Sequence, residues 1–338
     1  MFLQVIWFFL WGLLWALFFM TDGFDFGVGT LYPFFGKTET DKRKMINAIG
    51  PLWDGNEVWL ISAGGVTFAA FPQVYATMFS SLYTPLMLIL FALILRGVSF
   101  EFRELSQNSS WKKIWDSTIF IGSFLPALLF GVAFANIFKG LPIDMNGVLQ
   151  GNLLTLLNPY GLMGGVLFVL LFMQHGALWL CIRTGEDLQA RAIRTCGILW
   201  PICLGVLAVF VVASWFYTNL FANYMKYPVL FVVPLLAVAA FVLVRLFLAK
   251  GSYFKAWAMS SLGIVATTFF GLIGLFPNLF PSSLHSDYSL TAMNASSSEY
   301  TLLIMLVVVI IFVPIVLAYQ VWAYSLFHFK VEKEKFIY

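Results

Sequence analysis

Long apolar stretches separated by short polar loops dominate this chain. A helix needs about 20 apolar residues to cross the hydrocarbon core of a bilayer, and nine stretches have that character. We therefore predict an all-α membrane protein, with residues 1–338 forming a single integral membrane domain of helical bundles. The predicted helices lie near residues 4–28, 54–73, 76–97, 117–138, 159–182, 195–221, 228–249, 256–278 and 300–328.

Prolines divide two of these stretches. Residues 58–95 carry no charge and are too long for one straight span, and the sequence Phe71-Pro72-Gln73 predicts a tight hairpin between two helices. The apolar stretch 256–286 ends at Pro277 and Pro281, which predict its exit from the membrane.

The loops alternate in charge. Of the 19 Lys and Arg residues, only Lys139 and Lys226 fall in loops on one side of the predicted membrane. The positive-inside rule makes the other, basic side cytoplasmic. The N-terminus is then outside and the C-terminus cytoplasmic, as an odd number of spans requires.

Composition excludes several classes of protein. The chain is 61% hydrophobic and 10% charged, with a mean hydropathy of +0.90, which excludes a single soluble core. A net charge of +3 without a basic, aromatic patch gives no indication of nucleic-acid binding. The N-terminus lacks a basic region and a cleavage site, so we expect a retained first helix. The cysteines, predicted to be buried structural thiols, are Cys181, Cys196 and Cys203.

Acidic residues lie in or beside the apolar stretches near the start of the chain. A carboxylate inside a bilayer costs roughly 2.5–3.5 kcal/mol on insertion scales, so such residues are usually functional. Asp22 and Asp25 share a helix face, and Gly23 and Gly27 would let another helix approach closely. The alternative is that both acids mark the helix end and pair with nearby bases.

A second group of acids begins the next predicted helix. Asp54 and Glu57 share a face there, where the helix dipole alone favours a carboxylate. Against simple capping, Trp53 precedes the pair in an otherwise apolar segment. A partly buried carboxylate here could accept a proton from the cytoplasm and pass it inward.

Charged residues also follow the third predicted helix. Arg96 and Glu101 belong to a cluster that could be a solvated interface without function. Alternatively, Arg96 pairs with an embedded acid or a cofactor propionate, and Glu101 continues a proton line from Asp54. Asp116, before the next apolar run, is most simply a helix N-cap.

Aromatic and histidine residues give weaker signals. Trp7, Trp11 and Trp15 form one stripe on the first helix, which either packs against other helices or holds a quinone or isoprenoid tail. His175 is the one histidine placed in mid-helix, where a haem ligand would lie, although a hydrogen-bonded core residue is the simpler reading. The chain alone therefore cannot ligate several haems. No metal-binding, nucleotide-binding or hydrolase motif occurs.

Five phrases distributed in order along nearly the whole chain resemble subunit II of the cytochrome bd quinol oxidases. They are TDGFDFGVG (21–29), MINAIGPLWDGNEVWLISAGG (45–65), WDSTIFIGSFLPALLFGVAF (115–134), LLNPYGLMGG (156–165) and FPSSLHSDYSLTAMNASSSEYTL (280–302). These phrases are long and are not explained by composition. The predicted topology with nine helices and an outside N-terminus is also similar to that family's.

The resemblance implies a complex in the bacterial inner membrane. A larger subunit I would carry haems b558, b595 and d and oxidise quinol at the outer face, and a small single-helix subunit often completes the assembly. Subunit II would shield the haems from lipid and supply cytoplasmic protons, and in some members it offers an oxygen route and a structural quinone site.

Residue roles follow by position. Trp53 and Asp54 match the family's Trp-Asp, in which the Asp feeds protons inward; Asp25 matches the second Asp of the first phrase, and Arg96 matches the Arg after the third helix. Glu101 stands where some members have Asp. His175 inherits no role.

We therefore expect a proton path in which Asp54 is the entrance and Glu101 and Asp25 are relay groups, with Trp53, Asp22, Glu57 and Arg96 in support. No residue of this chain is expected to be directly catalytic. Two alternatives remain open: a proton-coupled secondary transporter, and a scaffold subunit whose acids only pair at an interface.

Overall fold

The computed structural model describes residues 1–327 and 329–331, and this part of the chain is largely helical. The helices are α1 (Phe2–Phe35), α2 (Glu39–Ile49), α3 (Trp53–Ala70), α4 (Pro72–Ser81), α5 (Tyr83–Phe102), α6 (Ser109–Lys139), α7 (Leu153–Leu156), α8 (Pro159–Arg183), α9 (Glu186–Tyr217), α10 (Phe221–Lys226), α11 (Val232–Ala249), α12 (Tyr253–Leu275) and α13 (Glu299–Leu326). Two short strands, β1 (Asn278–Phe280) and β2 (Leu290–Thr291), pair antiparallel between α12 and α13.

Eight helices of the described residues are long and apolar enough to cross a membrane, namely α1, α5, α6, α8, α9, α11, α12 and α13. The chain is therefore an all-α, multi-pass membrane protein. α3 has 18 residues and rises about 27 Å, but Asp54, Asn56 and Glu57 make its first turns polar. The count of nine spans and their orientation remain predictions.

The helices differ in detail from the predicted segments. α3 ends at Ala70 and α4 begins with Pro72, as the proline motif predicts. The helix expected over 76–97 is instead interrupted at Leu82, between α4 and α5. Pro85 supplies the reason, because it has no N–H to donate to the carbonyl of Ser81. The last predicted helix runs to residue 328, which lies outside the described residues.

The first helix, α1, lies at the centre of the bundle and packs against α3, α6, α8 and α12. Its glycines make the closest approach possible. A Cβ on Gly27 would overlap the carbonyl oxygen of Phe172 in α8, and a Cβ on Gly23 would overlap the ring of the same residue. The predicted small-residue contact is thus confirmed, and it holds the acidic turn of α1 firmly inside the bundle.

An ion network joins the loops at one end of the bundle, called here the basic end. Arg103 is fully buried and contacts three carboxylates: Glu39 at 2.9 Å, Glu104 at 2.6 Å and Asp116 at 2.6 Å. Lys42 adds a second cation to Asp116 at 2.7 Å. The network ties α2 to the end of α5 and the start of α6.

Asp116 is therefore not a helix N-cap, and that expectation was wrong. α6 begins at Ser109, and its N-cap is Asn108, whose side chain accepts the N–H of Ser110 at 2.8 Å. The polar residues before the apolar run continue the helix beyond the membrane, so Asp116 lies inside α6. Its carboxylate accepts hydrogen bonds from Tyr32, Lys42 and Arg103.

The three cysteines are buried and carry free thiols, as expected. The Sγ atoms of Cys181 and Cys196 lie 4.0 Å apart between α8 and α9. At the opposite end of the bundle from Arg103, the β1–β2 loop packs over the helices. There Leu141 donates to the carbonyl of Pro281 at 3.0 Å.

Candidate functional site

A buried guanidinium forms the centre of the candidate site. Arg96, in α5, has no exposed surface, and its Nη2 atom donates to both carboxylate oxygens of Asp22 in α1, at 2.9 and 3.1 Å. The same nitrogen donates to Glu57 of α3 at 2.5 Å. Phe26 covers the guanidinium, with its ring centroid 4.4 Å from Cζ. Arg96 therefore pairs with embedded acids, as one of the two sequence alternatives predicts.

Negative charge exceeds positive charge in this cluster. Asp22, Asp25 and Glu57 surround one cation, and Asp25 has no cation in ion-pair contact among the described residues. Asp22 and Asp25 are both fully buried and repel each other when ionised. Because a buried charge without a counter-ion is strongly disfavoured, the cluster is a place where a proton can be held.

Asp25 continues the site toward the last helix. Its Oδ2 accepts a hydrogen bond from Nδ2 of Asn56 at 2.7 Å, and Oδ1 of Asn56 accepts one from the hydroxyl of Tyr324 at 2.8 Å. Oδ1 of Asp25 is buried and has no hydrogen-bond partner within the described part of the chain. A chain of side chains thus runs from α1 through α3 to α13.

Glu57 is the member of this cluster that reaches the surface. Its side chain is 20% exposed, whereas those of Asp22 and Arg96 are fully buried. Glu57 contacts Arg96 directly, and Arg96 contacts the buried Asp22, so one residue separates the exposed acid from the buried one.

Asp54 and Glu101 lie on the surface of the chain, outside this cluster. Both are exposed, and neither makes an ion pair or a side-chain hydrogen bond within residues 1–327 and 329–331. Trp53 packs beside them, against the ring of Phe100 and the backbone of Gly97. The structure thus brings Asp22, Asp25, Glu57 and Arg96 together and leaves the predicted entrance and relay, Asp54 and Glu101, on the face of α3 and α5.

The tryptophan stripe of α1 is buried. Trp7 donates to the carbonyl of Leu302 at 3.0 Å and Trp11 donates to the hydroxyl of Thr67 at 2.8 Å, while Trp15 packs among phenylalanine rings. Trp7 also borders an apolar groove between α1, α3 and α13. Contact of this stripe with a quinone or isoprenoid tail stays a prediction. At Trp7, such a contact would occur in this groove.

His175 is a hydrogen-bonded core residue. Its Nε2 lies 3.0 Å from the carbonyl oxygen of Met20, and its Nδ1 lies 3.0 Å from the hydroxyl of Ser260. A carbonyl only accepts, so Nε2 carries the proton and Nδ1 accepts from Ser260. The ring stacks on Trp257 at 5.4 Å. Both ring nitrogens are occupied, which leaves none for an iron atom.

Sequence reasoning missed Asn56 and Tyr324. Both are neutral, and only the packing of α13 against α3 brings them together across 268 positions of sequence. One signal was available: Gln320 and Tyr324 are polar, four residues apart, and lie on one face of a helix that is otherwise almost entirely apolar.

Comparison with known proteins identifies the family to which this chain is similar. Residues 3–327 match the family described as cytochrome bd terminal oxidase subunit II. The chain is 38% identical to the cytochrome bd ubiquinol oxidase subunit 2 of Bacillus subtilis (strain 168) over 333 residues, which cover 98% of each chain. It is 36% identical to the cytochrome bd-I ubiquinol oxidase subunit 2 of Escherichia coli (strain K12) over 368 residues, covering 98% of this chain and 96% of that one.

The fold agrees with these sequence matches. A chain in the structure of the bd oxidase from Geobacillus thermodenitrificans superimposes with a TM-score of 0.80, covering 97% of this chain and 99% of that chain at 16% sequence identity. A full-length family match, close relatives over almost the whole chain and a shared fold agree with one another. This chain belongs to the cytochrome bd terminal oxidase subunit II family.

Proposed function

We propose that this chain, a subunit of a terminal oxidase, supports a haem-bearing subunit I that oxidises quinol and reduces oxygen to water, and that it supplies protons for that reaction from the cytoplasm. The relatives in Bacillus subtilis and Escherichia coli are named ubiquinol oxidase subunits. Protons drawn from the inner side and released from quinol at the outer side would build a proton-motive force without pumping.

The haems b558, b595 and d belong, in this proposal, mainly to subunit I. Haem in a membrane needs an axial ligand from the protein, and the two described histidines do not fit that role. His175 has both ring nitrogens engaged, and His285 lies exposed in the outer loop beside Asp287. The other partners proposed are a small single-helix subunit and the lipid and quinone of the bacterial inner membrane.

One observation carries the proton role: a cluster of three carboxylates and one guanidinium in which Asp22, Asp25 and Arg96 are fully buried. Arg96 neutralises Asp22 most directly, and Glu57 reaches the surface, which leaves Asp25 as the buried acid without a counter-ion. Asp25 is therefore the group that binds and releases a proton. Glu57 passes protons between the surface and this buried pair of aspartates.

Asp54 and Glu101 complete the path as surface groups. They lie on the exposed face of α3 and α5, and Asp54 precedes Glu57 by three residues in α3. In the assembled oxidase, Asp54 collects protons at the entrance, and Glu101 relays them along the same face.

The test replaces Asp25 by Asn in the complete complex, with oxygen consumption measured at saturating quinol. We expect turnover to fall by about tenfold, equivalent to about 1.4 kcal/mol of activation free energy, while the haem spectrum stays intact. Asp187→Asn is the matched control, because Asp187 is an exposed acid at the basic end with no described ion pair. Normal turnover in Asp25→Asn would favour the scaffold alternative, in which the acids only hold the helices together.

The transporter alternative has lost its main support. It rested on embedded acids and nine or more spans, and the chain belongs instead to a family of terminal oxidase subunits. The acids also lie beside one end of the bundle, whereas secondary transporters place such sites near the middle of the membrane.

A further inference from the structure

The last helix, α13, is attached to the bundle through few contacts. Leu302 is its one fully buried residue, and most of its apolar side chains are exposed. Near its C-terminal end, however, polar side chains bind it to the first turns of α3. Gln320 donates to the carbonyl of Gly55 at 2.9 Å and accepts from Trp59 at 3.0 Å. Tyr324, one turn later, donates to Asn56 at 2.8 Å.

These contacts end at the proposed proton-binding acid. Asn56 is buried, with 1% of its surface exposed, and it connects Tyr324 to Asp25. Its amide has a direction: Nδ2 donates to Asp25 and Oδ1 accepts from Tyr324. In this direction the amide stabilises the ionised carboxylate of Asp25, because a carboxylate can only accept.

Protonation of Asp25 would favour the opposite direction. With the proton on Oδ2, the carboxyl group donates toward Asn56, so Asn56 would best turn its oxygen toward Asp25 and its nitrogen toward Tyr324. The hydroxyl hydrogen of Tyr324 would then lose its acceptor, and an unsatisfied buried donor is costly. The hydroxyl therefore opposes the flip of the amide.

We infer that Asn56 and Tyr324 are positioning residues that set the protonation state of Asp25, with the Tyr324 hydroxyl fixing the orientation of the Asn56 amide. The inference rests on the proposed function, in which Asp25 carries the transferred proton. It assigns α13 a role in the reaction: this weakly attached helix tunes how readily the buried acid gives up its proton.

Other groups also act on Asp25. Asp22 on the same helix carries a like charge, and Arg96 on α5 carries the opposite charge, which binds Asp22. Glu57 on α3 is bound to Arg96, and His175 on α8 is neutral in the tautomer fixed by Met20 and Ser260. The Tyr324→Phe change leaves all of these in place and removes one hydroxyl group.

The experiment measures the infrared carbonyl band of the protonated Asp25 side chain in the complete oxidase as the pH is varied. The band is identified as the one that Asp25→Asn removes. We expect Tyr324→Phe to raise the midpoint of its titration by about one pH unit, which corresponds to about 1.4 kcal/mol. Asn56→Leu, which removes the donor itself, should raise the midpoint at least as far.

Tyr319→Phe is the matched control, since Tyr319 lies on the same helix with 61% of its surface exposed and packs at a tilted angle against Trp322. Its midpoint should equal that of the unmodified complex. A titrating Asp25 band whose midpoint is unmoved in both Tyr324→Phe and Asn56→Leu would overturn the inference and leave the proposed function standing. If Asp25→Asn removed no band and turnover stayed normal, the proposed function and the inference would both fail.

Discussion

Arg96 binds Asp22 through a single nitrogen: Nη2 lies 2.9 and 3.1 Å from the two oxygens of the carboxylate. The same atom also donates a hydrogen bond to Glu57, while Nε and Nη1 of Arg96 have no hydrogen-bond partner among the described residues. One cation is thus shared between two acids on different helices, and the third acid, Asp25, is left without one. This imbalance is the physical basis of the proposed proton site.

Removal of the cation should destabilise the subunit. Arg96→Gln leaves three carboxylates in the bundle without a counter-ion, and breaking a buried pair typically costs about 3–5 kcal/mol. We expect a clear fall in the unfolding temperature of the purified complex. The double variant Arg96→Gln, Asp22→Asn should recover part of that loss, because it also removes the negative charge of Asp22, which the single variant leaves without a counter-ion. Equal melting temperatures for the single and double variants would contradict this account of the pairing.

The second prediction concerns Asp54, the proposed entrance of the proton path. Asp54→Asn should slow oxygen reduction at saturating quinol, because the exposed acid that collects protons is lost, while the haem spectrum stays largely intact. Asp187→Asn again provides the control for the removal of one exposed acid. Unchanged turnover in Asp54→Asn would remove Asp54 from the route and leave Glu57 as its surface group.

His175 should matter for stability rather than for haem binding. His175→Phe keeps an aromatic ring beside Trp257 but removes the hydrogen bonds to Met20 and Ser260, and it leaves a buried hydroxyl without its partner. We expect a loss of about 1–3 kcal/mol in the thermal stability of the complex, with an unchanged haem spectrum. A missing or shifted haem band in an assembled complex would show that the histidine has a role at a haem.

The ion network at the basic end should make stability depend on pH. Partial burial alone would raise the pKa of Glu39, but the hydrogen bond and charge of Arg103 outweigh it and hold that pKa below its usual value. A lowered pKa in the folded state means that this stabilisation is present above the unfolded pKa and is lost as the pH falls through the folded one. Because Glu39 is half exposed, the contribution of its ion pairs to the free energy of unfolding should stay below about 1 kcal/mol.

Arg103→Gln tests the network as a whole. It removes the buried cation that Glu39, Glu104 and Asp116 share, while Lys42 and Lys112 stay beside Asp116 and Glu39. We therefore expect a loss of about 1–3 kcal/mol, measured by thermal unfolding of the complex near neutral pH. The loss should shrink in acid, as the carboxylates become protonated. Lys113→Gln is the control, since Lys113 is an exposed base near the start of α6 with no described ion pair. Equal destabilisation by the two variants would argue against a special role for Arg103.

The sequence predicted the parts of the site that carry charge. Asp22, Asp25, Glu57 and Arg96 stand out because an ionisable group in an apolar helix is costly and therefore rare. Pairing was harder to foresee. The sequence allows Arg96 to pair with an embedded acid or a cofactor propionate, or to belong to a solvated cluster, and the outcome depends on how α1, α3 and α5 pack. The neutral partners Asn56 and Tyr324 carry no such signal and were missed.

Helix ends were predicted less well than helix positions. Hydropathy detects the part of a helix inside the membrane, so the polar start of α6 was read as a loop and Asp116 as its cap. The break at Leu82 was also missed, because the apolar pattern continues through it and only Pro85 marks it. These errors arise where backbone hydrogen bonding, rather than hydrophobicity, decides the structure.

The most direct test follows proton uptake itself. The fully reduced complex is mixed with oxygen, and a pH-sensitive dye reports protons taken up from the medium while haem absorbance reports electron transfer. In Asp25→Asn, we predict that the first electron transfer keeps its normal rate and that proton uptake slows by about tenfold. Proton uptake at the unmodified rate in an assembled Asp25→Asn complex would contradict the central claim that this buried acid carries protons to the reaction.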